Sequence, residues 1–294
     1  MPRDKSTTVR SVGTGALRLG LAVGGAIAPA LAARAAERMF LTPPRHPPPP
    51  REGELLAGAE PFAVRAGAEI LRCWRFGEGP PVLLVHGWGG RGGQMAPLAP
   101  ALRAAGRAAV TFDGPAHGAS SGRTASVPAF ADAVAAVAAH VGARAAVGHS
   151  MGAAGLALAM IRGLELDAAA FLAPPRSPAA FLARFFDALR LSAPVREGVR
   201  ARLERRLRIG VDALDLPRMA GGMEVPLLVV HDRGDGEVPW ADGAAIAAAW
   251  PGARLVTTDG LGHRRIIRDP DVAAEVAAFV SRPAEARESP AAAG

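Results

Sequence analysis

Ser150 stands in Val-Gly-His-Ser-Met-Gly (147–152), between Gly148 and Gly152, where a run of small residues with strand character passes into an alanine-rich helical stretch. A serine hydroxyl is a poor nucleophile near neutral pH unless a neighbour accepts its proton. The G-x-S-x-G spacing supplies the steric part of that chemistry. A nucleophile on a sharp strand-to-helix turn adopts strained backbone angles, and bulky neighbours would collide with the flanking strand and helix. The helix that follows aims its free N–H groups at developing negative charge. Taken alone, the motif suits a structural turn serine as well as it suits a nucleophile.

Further chemistry-bearing clusters each follow a short apolar run. Pro-Val-Leu-Leu-Val (81–85) leads into His-Gly-Trp-Gly-Gly (86–90), a glycine-rich bend able to present a backbone N–H. The run 107–112 leads into Asp-Gly-Pro-Ala-His-Gly (113–118). Residues 226–230 lead into a loop carrying Asp232, Asp235 and Glu237, and residues 253–258 into one carrying His263. In open α/β sheets ligands bind at the carboxyl ends of the strands, so these positions are expected to meet. A histidine, with an ordinary pKa of about 6.5, accepts and returns a proton, and a carboxylate holds its tautomer.

The four motifs, in this order, resemble the α/β-hydrolase fold superfamily from about residue 55 to 281. The resemblance implies a serine hydrolase with Ser150 as nucleophile, Asp235 as acid and His263 as general base. It also implies an oxyanion hole made by the backbone N–H groups of Trp88 and Met151. The expected substrate is a small acyl molecule, an ester or thioester, cleaved through an acyl-enzyme. A lipase, peptidase or acyltransferase of the same fold, or a non-catalytic receptor or scaffold, are the alternatives. Asp235 takes the acid role over Asp232 and Glu237 because it precedes the Val-Pro that resembles the family's acid-loop ending. Asp232 then reads as a loop brace. His86, His117 and His149 read as structural, and Asp113 as a turn-former. No Cys/His ligand spacing, H-E-x-x-H pattern, phosphate loop or dinucleotide fingerprint occurs, so neither metal nor cofactor is implied.

The elements that must position these residues alternate. A hairpin (61–66 and 69–76) opens the domain, and strands and helices then follow one another to a closing helix at 270–281. The expected fold class is α/β: a mostly parallel, about eight-stranded sheet, helices on both faces, and a small helical lid insertion at 175–222. In that insertion Phe181, Phe185, Phe186 and Leu189 recur at helical spacing, as an acyl pocket or as an anchor of the lid on the body. The chain has 294 residues, enough for one sizeable domain, placed at 53–281.

Residues 1–52 read as a leader: a basic start, an apolar stretch at 19–33, and a proline-rich linker that sets the boundary near residue 52. Leu19, Val23, Ile27 and Leu31 recur every four residues, so an amphipathic helix is expected on the body or on a membrane surface, with peripheral membrane contact through residues 11–40. A cleaved secretory signal is the alternative. The expected location is cytoplasmic, with membrane association or export through this segment as variants. Residues 282–294 read as a flexible tail. The formal net charge is +7, but Lys5 is the only lysine and the arginines are scattered without interleaved aromatics, which excludes a nucleic-acid surface. Cys73 is the only cysteine, so no intrachain disulfide forms.

Overall fold

A computed structural model of the chain describes residues 18, 20, 21 and 23–282. The expected tail at 282–294, apart from Arg282, the basic start at 1–17 and Leu19 of the expected four-residue repeat lie outside the described residues. The chain divides into two compact units: residues up to Thr42 with Ser177–Leu214, and Pro43–Arg176 with the residues from Asp215 onward.

The second unit carries a sheet of eight strands: β1 (Glu60–Ala66), β2 (Glu69–Phe76), β3 (Pro81–Val85), β4 (Ala108–Phe112), β5 (Ala145–His149), β6 (Ala168–Leu172), β7 (Leu227–Asp232) and β8 (Arg254–Thr258). Their spatial order is β1-β2-β4-β3-β5-β6-β7-β8. The opening hairpin is antiparallel, and β2 also meets β4 antiparallel. From β4 onward every neighbouring pair is parallel. The central strands are continuous apolar runs because both of their faces are covered. Val82, Leu84, Ala145, Val147, Ala170, Leu172, Leu228 and Val230 pack on one side against Leu102 and against Val272, Val276 and Val280 of helix Pro270–Ser281. Helices Val127–Val141, Met151–Ile161 and Trp240–Ala249 complete the layers.

Local chemistry sets the helix ends. Ser126 accepts the Ala129 amide at 3.2 Å and Gly142, at φ 70°, closes the same helix. The helix expected at 94–105 is a tight 3-10 stretch, Gly92–Leu98, that becomes α-helical only at Ala99. Pro97 inside the stretch lacks an N–H to donate. The expected boundary at residue 52 falls inside helix Pro50–Leu56, and the chain joins the sheet-bearing unit at Pro43.

In the other unit, helix Pro29–Leu41 packs with helices Pro178–Leu189 and Ala193–Leu207. Ala32, Ala33, Ala36 and Leu41 meet Leu182, Phe186, Val195, Val199 and Leu203 in one core. Gly198 makes the approach close, since a Cβ there would stand 2.8 Å from the Ala33 methyl. Phe186 and Leu189 belong to this core and Phe185 packs on it, edge to face with Phe40 at 5.2 Å. Phe185 and Phe186 therefore pack with the amino-terminal helix, a partner that periodicity within 175–222 could not reveal, while Phe181 lies under Arg184 at 4.4 Å.

Candidate active site

Because β3, β5, β7 and β8 run parallel, the residues that follow them leave the same edge of the sheet. Ser150 follows β5 directly, with φ 52° and ψ −123°, a left-handed setting that a serine rarely adopts. Its amide donates to the Leu172 carbonyl at 2.9 Å, and the residue is buried. The flanking glycines are steric necessities. A Cβ at Gly148 would come within 2.6 Å of the Ala153 Cα, and one at Gly152 would strike the carbonyl oxygens of Val85 and His86. The turn is thus pressed against the end of β3, and a Cβ on Gly87 would lie 3.0 Å from the Ser150 Cβ.

Met151 opens helix Met151–Ile161, so its amide lacks an intrahelical acceptor. Trp88 lies in the bend beside Gly87, and among the described residues its amide makes no backbone hydrogen bond. The neighbouring amides are occupied: Gly89 donates to His117 Nε2 at 3.0 Å, Gly90 to the Gly87 carbonyl at 3.1 Å, and Gly92 to Asp113 Oδ1 at 2.8 Å. His86 accepts the Gly114 amide on Nε2 at 2.8 Å while Nδ1–H donates to the Gly87 carbonyl at 2.7 Å. Burial, reinforced by the neighbouring His117, holds His86 well below the ordinary histidine range. Burial likewise lowers His117 to about 4. Both imidazoles are neutral at pH 7 and serve as acceptors.

Residues 44–52 fasten this bend from outside. Arg91, next in the loop, forms a two-pronged ion pair with Glu52 at 2.7 and 2.8 Å and also donates to the His46 carbonyl. The two side chains are only 11% and 6% exposed. Arg45 donates to the carbonyls of Ala116, Ser120 and Gly122. The Pro44 ring lies against Gly89, where a Cβ would be 3.2 Å away. The prolines expected to make a linker instead form a strap on the bend that carries Trp88. Sequence reasoning missed Arg45, Glu52 and Arg91; the only signal was a lone acid at the end of the proline run.

On the other side, His263 Nδ1 and Asp235 Oδ2 are 2.7 Å apart, and both side chains are almost entirely buried. The second oxygen of Asp235 accepts the amides of Glu237 and Val238, each at 2.8 Å. Burial alone would push this carboxyl up. The hydrogen bonds from His231, His263 and the two amides outweigh it and hold Asp235 far below the ordinary carboxylate range. Asp235 therefore remains ionised, with Nδ1 of His263 carrying the proton. Asp232 binds the Gly234 amide, the Thr258 hydroxyl and the Leu261 amide, all within 2.9 Å. It braces the loop of Asp235 and the loop of His263 together. Glu237 points outward to Arg264.

His231 is a residue the sequence did not single out. Its fully buried ring sets Nε2 at 3.1 Å from the Val238 carbonyl and 3.4 Å from Asp235 Oδ2, while Nδ1 has no partner. His149 links the serine turn to the base loop. Its Nε2–H donates to the His263 carbonyl at 2.8 Å, and the two rings lie 4.8 Å apart. Burial, then the adjacent His263, lowers His149 to about 3, so it stays a neutral donor. The structure thus joins His263 directly to Asp235. It joins the Ser150 turn to the base loop through His149, and to the Trp88 bend through Gly87.

Comparison with known proteins agrees with this architecture. Residues 82–276 match the model of the alpha/beta hydrolase family. No curated protein matches by sequence. Among solved structures, an esterase of Pyrococcus furiosus superposes with TM-score 0.63 at 20% identity, covering 83% of this chain and 100% of its own. A bromoperoxidase from Bacillus anthracis gives 0.57 at 18% identity, covering 74% and 97%. An esterase from Exiguobacterium antarcticum gives 0.60 at 14% identity, covering 76% and 100%.

Proposed function

The chain belongs to the alpha/beta hydrolase family, and from that premise we propose that it cleaves carboxylic ester or thioester bonds through Ser150, His263 and Asp235. The observation that carries the reading is the buried 2.7 Å hydrogen bond between His263 and an ionised Asp235, at the sheet edge where Ser150 occupies its strained turn.

Ser150 Oγ attacks the acyl carbon while His263, through Nε2, takes the hydroxyl proton. The carbonyl π pair moves onto oxygen, and the resulting oxyanion is held by the N–H groups of Met151 and Trp88. Asp235 keeps the other ring proton on Nδ1 and stabilises the imidazolium without itself becoming protonated. Collapse of the tetrahedral species breaks the bond to the leaving oxygen or sulfur, which takes the proton from His263. Water, deprotonated by His263, attacks the acyl-serine and releases the acid with Ser150 restored.

A fluorophosphonate probe tests this reading. The wild type is expected to be labelled at one site and Ser150→Ala not at all. Equal labelling of the two, or none of the folded wild type, sinks the assignment.

A further inference from the structure

The helical residues 23–27 and the first turn of helix Pro29–Leu41 place their side chains the wrong way round for a helix meant to face only water. In the middle of the segment the side that packs into its unit is alanine, Ala32, Ala33 and Ala36, with Leu21 before it and Met39, Phe40 and Leu41 after it completing the contact. Between residues 23 and 31 the bulky apolar residues point outward. Val23 is 50% exposed, Ile27 80% and Leu31 67%, the three most exposed of the large apolar side chains among the described residues. An amphipathic helix of a water-soluble body buries its large side chains and exposes its polar ones.

The charge along this segment is one-sided as well. Arg34 and Arg38 follow Leu31 at helical spacing, so they continue the same exposed face, and neither makes an ion pair with a described residue. Glu37, the only acid between residues 18 and 42, is buried on the other side against Arg202 and Arg206. The exposed face is therefore a row of bulky apolar groups that runs into two guanidinium groups with no acidic partner among the described residues. Long arginine stems let such heads reach phosphate level while apolar neighbours sink below it. Among the described residues no helix is long and apolar enough to cross a membrane.

We propose that this face docks the protein on an anionic lipid surface, with Val23, Ile27 and Leu31 inserted at the level of the acyl chains and Arg34 and Arg38 on the headgroup phosphates. The proposal stands apart from the assignment of the active site and does not need it. A second copy of the chain would also cover apolar groups, but two such faces would bring Arg34 and Arg38 of both copies together, while Glu37, the one acid of residues 18–42, is buried against Arg202 and Arg206. This excess of positive charge favours anionic lipid.

The test is co-sedimentation of the full chain with phosphatidylcholine vesicles, with and without phosphatidylglycerol, alongside light scattering of the protein alone. The expected result is binding to the phosphatidylglycerol vesicles only, released by high salt. The double change R34Q/R38Q is expected to weaken that binding about 30-fold, at roughly 1 kcal/mol per arginine. V23S/I27S/L31S is expected to weaken it more than about tenfold. Ile27→Asp alone, at the most exposed of the three, guards against misfolding of the triple variant, and an unchanged Tm verifies its fold. Absence of binding to either vesicle overturns the proposal, as does equal binding to both that the arginine changes leave untouched. A wild-type dimer that V23S/I27S/L31S converts to monomer, without vesicle binding, overturns it in favour of a contact between copies.

Discussion

The bend that carries Trp88 and the loops that carry Asp235 and His263 leave the same edge of the sheet, but they are held by different means. On the Trp88 side the anchors come from far along the chain: His117 takes the Gly89 amide, and Glu52 grips Arg91. Two imidazoles there work as neutral acceptors because burial keeps them unprotonated. On the side of Asp235 and His263 most anchors lie between residues 231 and 263, with only His149 reaching in from afar to the His263 carbonyl, and the carboxylate acceptors are held ionised by converging N–H and O–H donors. In the proposed function one side would donate hydrogen bonds to a developing negative charge, while the other keeps a charge of its own. The same edge of one sheet can do both because each loop brings its own electrostatic environment.

Neutralising the permanent charge should break the comparison most sharply. Asp235→Asn is expected to lower kcat on a p-nitrophenyl ester about 10⁴-fold with little change in KM, since the wrong tautomer of His263 is then favoured. Near-normal turnover would move the acid role elsewhere. Next in size, Glu52→Gln leaves the buried Arg91 charge uncompensated and should cost about 3–5 kcal/mol in denaturant unfolding. It should also lower kcat by loosening the bend beside Trp88, with the His263–Asp235 pair intact. A loss of stability without any loss of kcat would mean that the strap does not govern the Trp88 amide.

The smallest effect concerns pH. The folded pKa of His117 is about 4, below its unfolded value of about 6.5, so the unfolded chain binds more protons in that window. Stability is therefore lost as pH falls from about 6.5 toward 4, by about 3 kcal/mol at most from this residue. Asp235, depressed in the fold, contributes stability that is lost only below its unfolded value of about 3.9. Asp113, raised by burial, acts with the opposite sign near that value. His117→Gln, which keeps an acceptor for Gly89, should flatten the fall in unfolding free energy between pH 6.5 and 4. An unchanged slope would contradict a neutral His117.

The sheet was largely legible because its signals are local. Val82–Val85 and Leu227–Val230 are unbroken apolar runs, and such runs bounded by glycine loops mark strands buried on both faces. Ser150, Asp235 and His263 could be placed at strand ends because each comes within a few residues of a strand-like run. The choice of Asp235 over Asp232, and with it the reading of Asp232 as a brace, came from the resemblance to the family's motifs, and Asp232 does bind both loops. His231 was not legible: its ring turns back on Asp235 through a loop whose path no residue pattern specifies.

By itself, then, the sequence determined the strand ends and the residue types that stand on them, because hydrophobic periodicity and turn chemistry act over a few residues. Only the tertiary structure decided what holds those residues still. Glu52 and Arg91 lie 39 residues apart, and Ala33 and Gly198, which meet, lie 165 apart, further than any local pattern reaches. Such pairings depend on where the whole backbone travels, and a proline run or an alanine helix reads alike whether it hangs free or is packed.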